Sequence, residues 1–301
     1  MSEALSWQRD GARWPHHEHS RFVQASGLRW HVQIVAPPAG GLQTLLLLHG
    51  AGASTHSWRG LLPLIAPDWR VIAPDLPGHA FSEALPPYRQ SLTGMAQALA
   101  DLLHALDAEP DAAIGHSAGA ALMLRMALDG QIGAGAALIG INAAVFPFEG
   151  LPGLLYAPVA RLLARSALVS RFAAWRARDL AAVRRLIAST GSMLDDEGVA
   201  WYARLLQCPR HLAGVLAMMA SWDLEPLQRD LARLQAPLHL LVGERDAAVP
   251  PGQADRLAAR LSAVIVHRLP RLGHLAHEEA PQHVAEVVRP LLKAPAMSAL
   301  A

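Results

Sequence analysis

A serine enclosed by glycines is the first part of this chain whose residue types and spacing suggest chemistry. The segment Gly115-His116-Ser117-Ala118-Gly119 fits the pattern G-x-S-x-G. An apolar stretch precedes it and an apolar helical pattern follows it, which is the strand–turn–helix context of a nucleophilic serine. Side chains two residues before and after the serine would collide in so sharp a turn, which explains both glycines. We therefore predict that Ser117 is a nucleophile at a helix N-terminus; the alternative is a serine that only caps the helix.

A serine hydroxyl is a poor nucleophile near neutral pH, so it needs a base and a carboxylate that orients the base. One apolar strand pattern ends at Gly243, and Asp246 follows it by three residues. We predict that Asp246 is this acid, and Glu244 is a rival that lies closer to the strand. The next strand pattern ends at Leu269, and His274 follows it in a glycine-containing loop. We predict that His274 is the general base, since serine, acid and histidine then occur in the expected chain order.

The charge that develops on a substrate oxygen needs two hydrogen-bond donors. Ala118 N–H, at the start of the helix after the serine, is the first candidate. The second is Ala51 N–H, because the apolar strand 44–49 runs into His49-Gly50-Ala51-Gly52, where small residues let the backbone approach a substrate. Nucleophile, acid, base and oxyanion loop each fall at the end of a predicted strand, which makes chance agreement remote.

Composition excludes several other classes of protein. The 301 residues are 52% hydrophobic and 17% charged, which favours one large globular unit with a substantial core. A net charge of +1 argues against a nucleic-acid partner. Lys293 is the only lysine and Cys208 the only cysteine, so a P-loop, a lysine imine and a multi-cysteine metal site are disfavoured.

No metal or cofactor site is predicted. His277 could join His274 on a metal ion, but no third ligand is evident, and we interpret it as a histidine at a helix start. His16, His17 and His19 cannot all face one ion from a regular element, so we expect them at the surface. The first fifteen residues lack an apolar secretion core, and the weakly polar run 132–148 reads as a buried strand; we expect a cytoplasmic protein.

Alternating strand and helix patterns must position these residues. Strand patterns cover residues 21–25, 28–36, 44–49, 70–73, 112–115, 135–141, 238–243 and 264–269, and core helix patterns cover 92–106, 118–129, 253–261 and 282–292. This alternation predicts a mostly parallel sheet with helices on both faces. Between about residues 146 and 224 only helical periodicity occurs, over 154–163, 169–175, 180–187, 199–206 and 212–219. We therefore predict a core over 1–145 and 225–301, with an all-helical insertion over 146–224.

The sequence resembles the α/β-hydrolase fold superfamily from about residue 20 to 293. The resemblance rests on His49-Gly50, on Asp75-Leu-Pro-Gly-His79, on the G-x-S-x-G segment, on Gly243-Glu-Arg-Asp246 and on Leu272-Gly-His274. It implies an eight-stranded, mostly parallel sheet, a helical cap after strand six, and a structural role for Asp75 and His79. Members with an aspartate nucleophile are disfavoured, because Ser117 stands at that position.

Three further stretches are similar to a group found in photosynthetic bacteria, the magnesium-chelatase accessory proteins of bacteriochlorophyll biosynthesis. They are residues 7–16, residues 22–31 and residues 218–224. Magnesium insertion into a porphyrin is driven by ATP, and this chain has no nucleotide-binding loop and no evident magnesium cage. The resemblance therefore implies an accessory role, with magnesium-chelatase subunits as candidate partners.

Two functions from different classes remain open. The first is a serine hydrolase that cleaves an ester or similar acyl bond of a small apolar substrate, for which the resemblance suggests a tetrapyrrole. Substrate-pocket candidates are His116, Phe146, Trp175, Trp201, Met218 and Trp222. The same aromatic residues could instead only pack the insertion onto the core. The second function is a non-catalytic module that binds a porphyrin or assists the chelatase.

The insertion is locally basic. Residues 150–222 hold nine arginines and four carboxylates, a net charge of +5. Beside leucine-rich helix faces this charge would suit peripheral contact with an anionic bilayer, in this case the inner membrane. The alternative is a solvated helix surface.

Overall fold

A computed structural model describes residues 5–36, 43–147 and 174–293. In these residues eight strands form one sheet, in the order β1-β2-β4-β3-β5-β6-β7-β8. The strands are β1 (Ser20–Ala25), β2 (Leu28–Val35), β3 (Thr44–Leu48), β4 (Arg70–Pro74), β5 (Ala112–His116), β6 (Ala137–Ile141), β7 (Leu238–Gly243) and β8 (Val264–Leu269). The bounds differ from the sequence patterns by no more than two residues at each end.

From β3 onwards, at least one α-helix lies between each pair of successive strands. They are α1 (Trp7–Asp10), α2 (Leu62–Ile65), α3 (Leu92–Ala105), α4 (Ala118–Leu128), α5 (Leu180–Ala188), α6 (Asp196–Leu206), α7 (Pro209–Ser221), α8 (Glu225–Asp230), α9 (Gly252–Ala258), α10 (Ala276–Glu279) and α11 (Pro281–Lys293). Helix α3 begins where the Ser91 hydroxyl accepts a hydrogen bond from Gly94 N, an N-cap.

The sheet is antiparallel at one edge and parallel elsewhere. Strands β1 and β2 form a hairpin whose turn uses Ser26 and Gly27 at φ 56° and 76°. Strand β2 pairs antiparallel with β4, and every remaining pair from β4 through β8 is parallel. The predicted α/β-hydrolase fold, with a mostly parallel eight-stranded sheet, is confirmed.

Alternation along the buried central strand divides the core into two apolar layers. In β3, Leu46 and Leu48 belong to the layer that includes Leu99 of α3 and helix α4. The intervening Leu45 and Leu47 belong to the layer that includes α2 and α11. Successive strand side chains point to opposite faces, so a continuous leucine run fits a sheet covered on both sides.

Helices α5, α6 and α7 lie between β6 and β7, where only helical periodicity was found. They cover three of the five predicted helical segments; the other two, 154–163 and most of 169–175, lie outside the described residues. The N-terminal segment packs against this insertion through Trp14 on Trp201, with ring centroids 5.1 Å apart, and through Arg204 Nε, which donates to Asp10 at 2.9 Å. Domain limits at 145 and 225 stay a prediction.

Candidate active site

The turn between β5 and α4 holds Ser117 in a backbone conformation that non-glycine residues rarely adopt, with φ 51° and ψ −116°. A Cβ at Gly115 would lie 2.5 Å from Ala120 Cα, and one at Gly119 would overlap the carbonyl oxygens of Leu48 and His49. Both glycines are therefore required by the close approach of backbone to backbone. Such strain is typical of residues whose position matters more than their local stability.

Asp246 and His274 are joined by a hydrogen bond of 2.8 Å between Asp246 Oδ2 and His274 Nδ1. The Asp246 side chain is fully buried, and that of His274 is 11% exposed. The other carboxylate oxygen accepts hydrogen bonds from Ala248 N and Val249 N, each 2.8 Å long. Because Nδ1 faces a carboxylate it carries the proton, which leaves Nε2 of the neutral ring free to accept one. Glu244, the rival acid, is exposed to solvent.

His116 connects the serine turn with the histidine loop. Its Nε2–H donates to the His274 carbonyl oxygen at 2.9 Å, and the two ring centroids are 4.8 Å apart. In the described part of the chain Ser117 Oγ makes no hydrogen bond, so the Ser117–His274 bond is not formed in this structure. Catalytic hydrogen bonds without a substrate are often long and tighten in the reacting complex.

The loop after β3 lies against the serine. A Cβ at Gly50 would be 3.1 Å from Ser117 Cβ and 2.7 Å from His116 Nδ1. Gly50 O accepts hydrogen bonds from His49 Nδ1 at 2.8 Å and from Ala53 N at 3.2 Å, and Gly52 follows at φ 78°. This is the pattern of a type II turn with Ala51 at its second position. Neither Ala51 N–H nor Ala118 N–H finds an acceptor among the described residues.

Several histidines around the site are buried and uncharged. Burial lowers the pKa of His116 well below its usual value, and it lowers that of His277 to about 3 and that of His211 to about 4. The ring of His116 lies between those of His274 and His277, at 4.8 and 4.5 Å. His274 therefore lies beside a neutral imidazole, which would not oppose a positive charge on the His274 ring. His277 lies in α10 as predicted.

Asp75 has the structural surroundings that the family resemblance implied. Its carboxylate accepts hydrogen bonds from Thr55 N at 2.8 Å and Phe81 N at 3.2 Å, and it pairs with His31 Nδ1 at 2.7 Å. Burial would raise the pKa of Asp75, but these neighbours, His31 above all, lower it to about 2. His79 is also buried, so both residues of this motif belong to the interior.

Five of the six pocket candidates fall into two sets, and His116 stands apart from both. Phe146, Met218 and Trp222 share one apolar cluster with Ala51 and Ala118. The indole Nε1 of Trp222 is buried and has no hydrogen-bond partner among the residues that the structure describes.

His116 lies directly before Ser117 in the chain, and its ring is buried. The remaining two candidates lie apart from that cluster. Trp201 packs on Trp14 in a second cluster, and Trp175 is 56% exposed. The sequence alone did not distinguish Trp222, which shares a cluster with Ala51 and Ala118, from Trp201 and Trp175, which do not.

Three residues that hold the site were not identified from the sequence as such. Asn142, after β6, bonds to both the acid and the base segments. Thr190 O, after α5, accepts from His274 N at 3.3 Å and from Ala247 N at 3.1 Å. His211 of α7 donates from Nε2 to Gly52 O at 3.1 Å. Of these three residues, only Asn142 could have been suspected from the sequence, because it is a non-glycine residue directly after a buried strand.

The described residues hold neither a cluster of metal ligands nor a membrane-spanning helix. Among residues 5–36, 43–147 and 174–293, no group of three or more histidine, cysteine or carboxylate side chains is arranged to hold a metal ion. Within those same ranges, no helix combines the length and apolar character needed to cross a bilayer.

Comparison with known proteins places this geometry in a family. Residues 43–281 match the profile of the alpha/beta hydrolase fold. The chain is 39% identical, over 92% of its length and 95% of the relative, to the magnesium-chelatase 30 kDa subunit of Rhodobacter capsulatus. It is 27% identical, over 80% of its length and 84% of the relative, to 2-hydroxy-6-oxo-6-phenylhexa-2,4-dienoate hydrolase of Burkholderia cepacia.

Among solved structures, the protein lip1 from Acinetobacter baumannii AYE superposes with a TM-score of 0.74 at 19% identity, covering 96% of both chains. At that identity the likeness concerns the fold alone. The profile match spans most of the sequence, and both relatives align with at least 80% of this chain. The chain therefore belongs to the α/β-hydrolase fold family.

Proposed function

We propose that this protein is a serine hydrolase that cleaves an ester or similar acyl bond of an apolar substrate. The observation that carries the proposal is the buried hydrogen bond between Asp246 and His274, beside a strained turn that presents Ser117. A carboxylate, an imidazole with its second nitrogen free, and a serine at a helix start are the parts of a nucleophilic triad.

In the proposed mechanism His274 Nε2 accepts the Ser117 proton as Oγ attacks the acyl carbon. Asp246 holds the proton on Nδ1 and stabilises the imidazolium that forms. Ala51 N–H and Ala118 N–H, which have no acceptor in the described chain, stabilise the oxyanion. His274 then protonates the leaving group, and water attacks the acyl-enzyme with the same ring as base.

The substrate class follows from the lining of the site. Phe146, Met218 and Trp222 belong to the same apolar cluster as Ala51 and Ala118, and in this proposal they form the apolar side of the substrate site. Trp222 Nε1, which has no partner within residues 5–36, 43–147 and 174–293, would gain an acceptor from a polar group at the edge of a flat or long apolar substrate. A tetrapyrrole ester fits that description, and the name of the Rhodobacter capsulatus relative is a second reason to test one.

The cellular setting is also a proposal. A role accessory to magnesium chelation would bring this chain into contact with chelatase subunits in the cytoplasm. The arginine excess of the insertion would suit peripheral contact at the inner membrane. In the described residues, however, Arg184 and Arg185 pair with Asp196 and Asp179, which lowers the charge available to a bilayer.

A second candidate is a porphyrin-binding or chelatase-assisting protein that uses the fold without catalysis. The observation in its favour is that a relative 39% identical is named as a chelatase subunit. The absence of a Ser117–His274 hydrogen bond in the described residues is compatible with it. The intact set of base, acid and oxyanion donors favours the hydrolase, since binding alone requires none of them.

A fluorophosphonate probe separates the two candidates. We expect folded wild-type protein to be labelled at Ser117, Ser117→Ala to remain unlabelled, and a panel of acyl esters of rising chain length to be hydrolysed only by the labelled form. An unlabelled, folded wild-type protein whose role in pigment synthesis Ser117→Ala supports equally well would contradict the hydrolase and leave the binding function.

A further inference from the structure

The turn that follows β6 touches all three segments of the candidate triad. Its backbone pairs with the nucleophile on both sides, because Ser117 N donates to Ile141 O at 3.0 Å and Ala144 N donates to Ser117 O at 3.2 Å. It also pairs with β7, since Asn142 N donates to Leu241 O at 2.8 Å. Residues 141–144, the end of β6 and the segment that follows it, thus lie between Ser117 and β7, the strand that leads to Asp246.

The side chain of Asn142 extends these contacts to the base. Its Nδ2 donates to Gly273 O at 3.0 Å and to His274 O at 2.8 Å. Its Oδ1 accepts from Gly243 N at 2.8 Å, three residues before Asp246. One amide group therefore joins the last residue of β7 to the loop that carries the histidine.

The chemistry of these bonds requires an amide. The two partners of Nδ2 are carbonyl oxygens and the partner of Oδ1 is an N–H group, so neither a carboxylate nor a hydroxyl can satisfy all three. Asn142 is also buried and has φ 47°, a conformation that asparagine tolerates better than most residues. Both its backbone and its side chain thus match asparagine.

We infer that Asn142 is a positioning residue of the proposed hydrolase, which sets the His274 loop against the Asp246 strand and the Ser117 turn without touching the substrate. This inference rests on the proposed function. Loss of the amide should let the His274 loop shift, and a displacement of about 1 Å at a catalytic group lowers a rate by about a hundredfold.

Proton NMR of the full chain tests the positioning without requiring activity. The proton between His274 Nδ1 and Asp246 should give a far-downfield signal that is lost in His274→Ala. The proton between His31 and Asp75, a buried pair 2.7 Å apart, should give a second signal as an internal control. We expect Asn142→Gly, which tolerates the positive φ, to lose or displace the His274 signal and keep the His31 signal.

Saturation kinetics of fluorophosphonate labelling test the consequence for the reaction. We expect the maximal labelling rate of Asn142→Gly to fall at least about tenfold while the probe concentration at half-saturation stays unchanged. Asn142→Asp keeps the shape but places carboxylate oxygen against two carbonyls, so its rate should fall further. Asp107→Gly, an exposed residue at φ 48° far from the site, is the matched control and should behave as wild type.

The outcomes are separable. The inference would be overturned if Asn142→Gly kept the His274 signal and was labelled at a rate within twofold of wild type. It would also be overturned if the signal was lost while the labelling rate stayed unchanged. If Asn142→Gly also loses the His31 signal, it is misfolded and Asn142→Asp decides. If folded wild-type protein is not labelled, the proposed hydrolase fails, and the NMR comparison alone decides whether Asn142 positions the histidine.

Discussion

The loops at the carboxyl edge of the sheet and the helices inserted between β6 and β7 are built in different ways. The strand-end loops are joined by short backbone and amide hydrogen bonds that converge on the turn after β6. The described part of the insertion adds an apolar cluster that includes Val183, Ile187 and Val199. Polar networks fix distances and directions, whereas apolar packing tolerates substitution at constant volume.

The insertion nevertheless reaches the site at a few polar points. Thr190 O accepts hydrogen bonds from His274 N and Ala247 N, and His211 donates to Gly52 O in the loop after β3. Gly191, at φ 83°, is so close to the carbonyl of Arg245 that a Cβ would overlap it. The described part of the insertion therefore supports the loops at the carboxyl edge of the sheet.

The largest expected effect concerns the strand-end loops. Asp246→Asn should lower the rate of ester hydrolysis by about 10⁴-fold, because the amide favours the wrong histidine tautomer while the packing is preserved. Glu244→Gln, two residues earlier and exposed, is the matched control and should leave the rate unchanged. A rate for Asp246→Asn within tenfold of wild type would mean that this pair does not orient the base.

The next effect tests the junction between the two regions. Gly191→Ala should destabilise the protein by more than about 3 kcal/mol and lower the labelling rate of Ser117, because the new methyl group meets backbone atoms of the acid loop. Gly130→Ala is the control: its φ is 72° but nothing lies within 4 Å, so only about 1 kcal/mol is expected. Urea denaturation measures both, and equal losses would show that the junction is not tightly packed.

The smallest effect is the dependence of stability on pH, in which buried histidines and one buried carboxyl group oppose each other. Burial lowers the pKa of His211 from 6.5 to about 4, so its contribution is complete above pH 6.5 and is lost as the pH falls towards 4. His116 and His277 act in the same direction. Burial raises the pKa of Glu278, which pairs with Arg59 and with Tyr202 of the insertion, from 4.5 to about 7, so its contribution is lost as the pH rises through that interval.

Since three histidines oppose one carboxyl group, we expect the free energy of unfolding to decrease as the pH falls from about 6.5 to about 4.5. Each group contributes at most about 1.4 kcal/mol per pH unit. His211→Gln should make the dependence shallower and Glu278→Gln should make it steeper, as measured by urea midpoints across that range. A dependence that neither variant alters would contradict the assignment of these groups.

Local patterns were sufficient for the strands and for the order of the site residues. Continuous apolar runs marked β3 and β7, and the glycines at 115 and 119 marked the sharp turn, because steric exclusion acts between residues close in sequence. The surroundings of the tryptophans were not predictable in this way. An aromatic residue in a helical pattern reports burial, but not whether its partner is Trp14 or a substrate.

The sequence by itself determined the fold and the chain order of the proposed nucleophile, acid and base, because periodicity, turn chemistry and strand ends are local properties. Only the tertiary structure decided that Asp246 rather than Glu244 meets His274, and that Asn142, Thr190 and His211 hold the surrounding loops. These are hydrogen bonds between groups up to about 160 residues apart. Their formation depends on angles and distances that are set only when the strands are side by side.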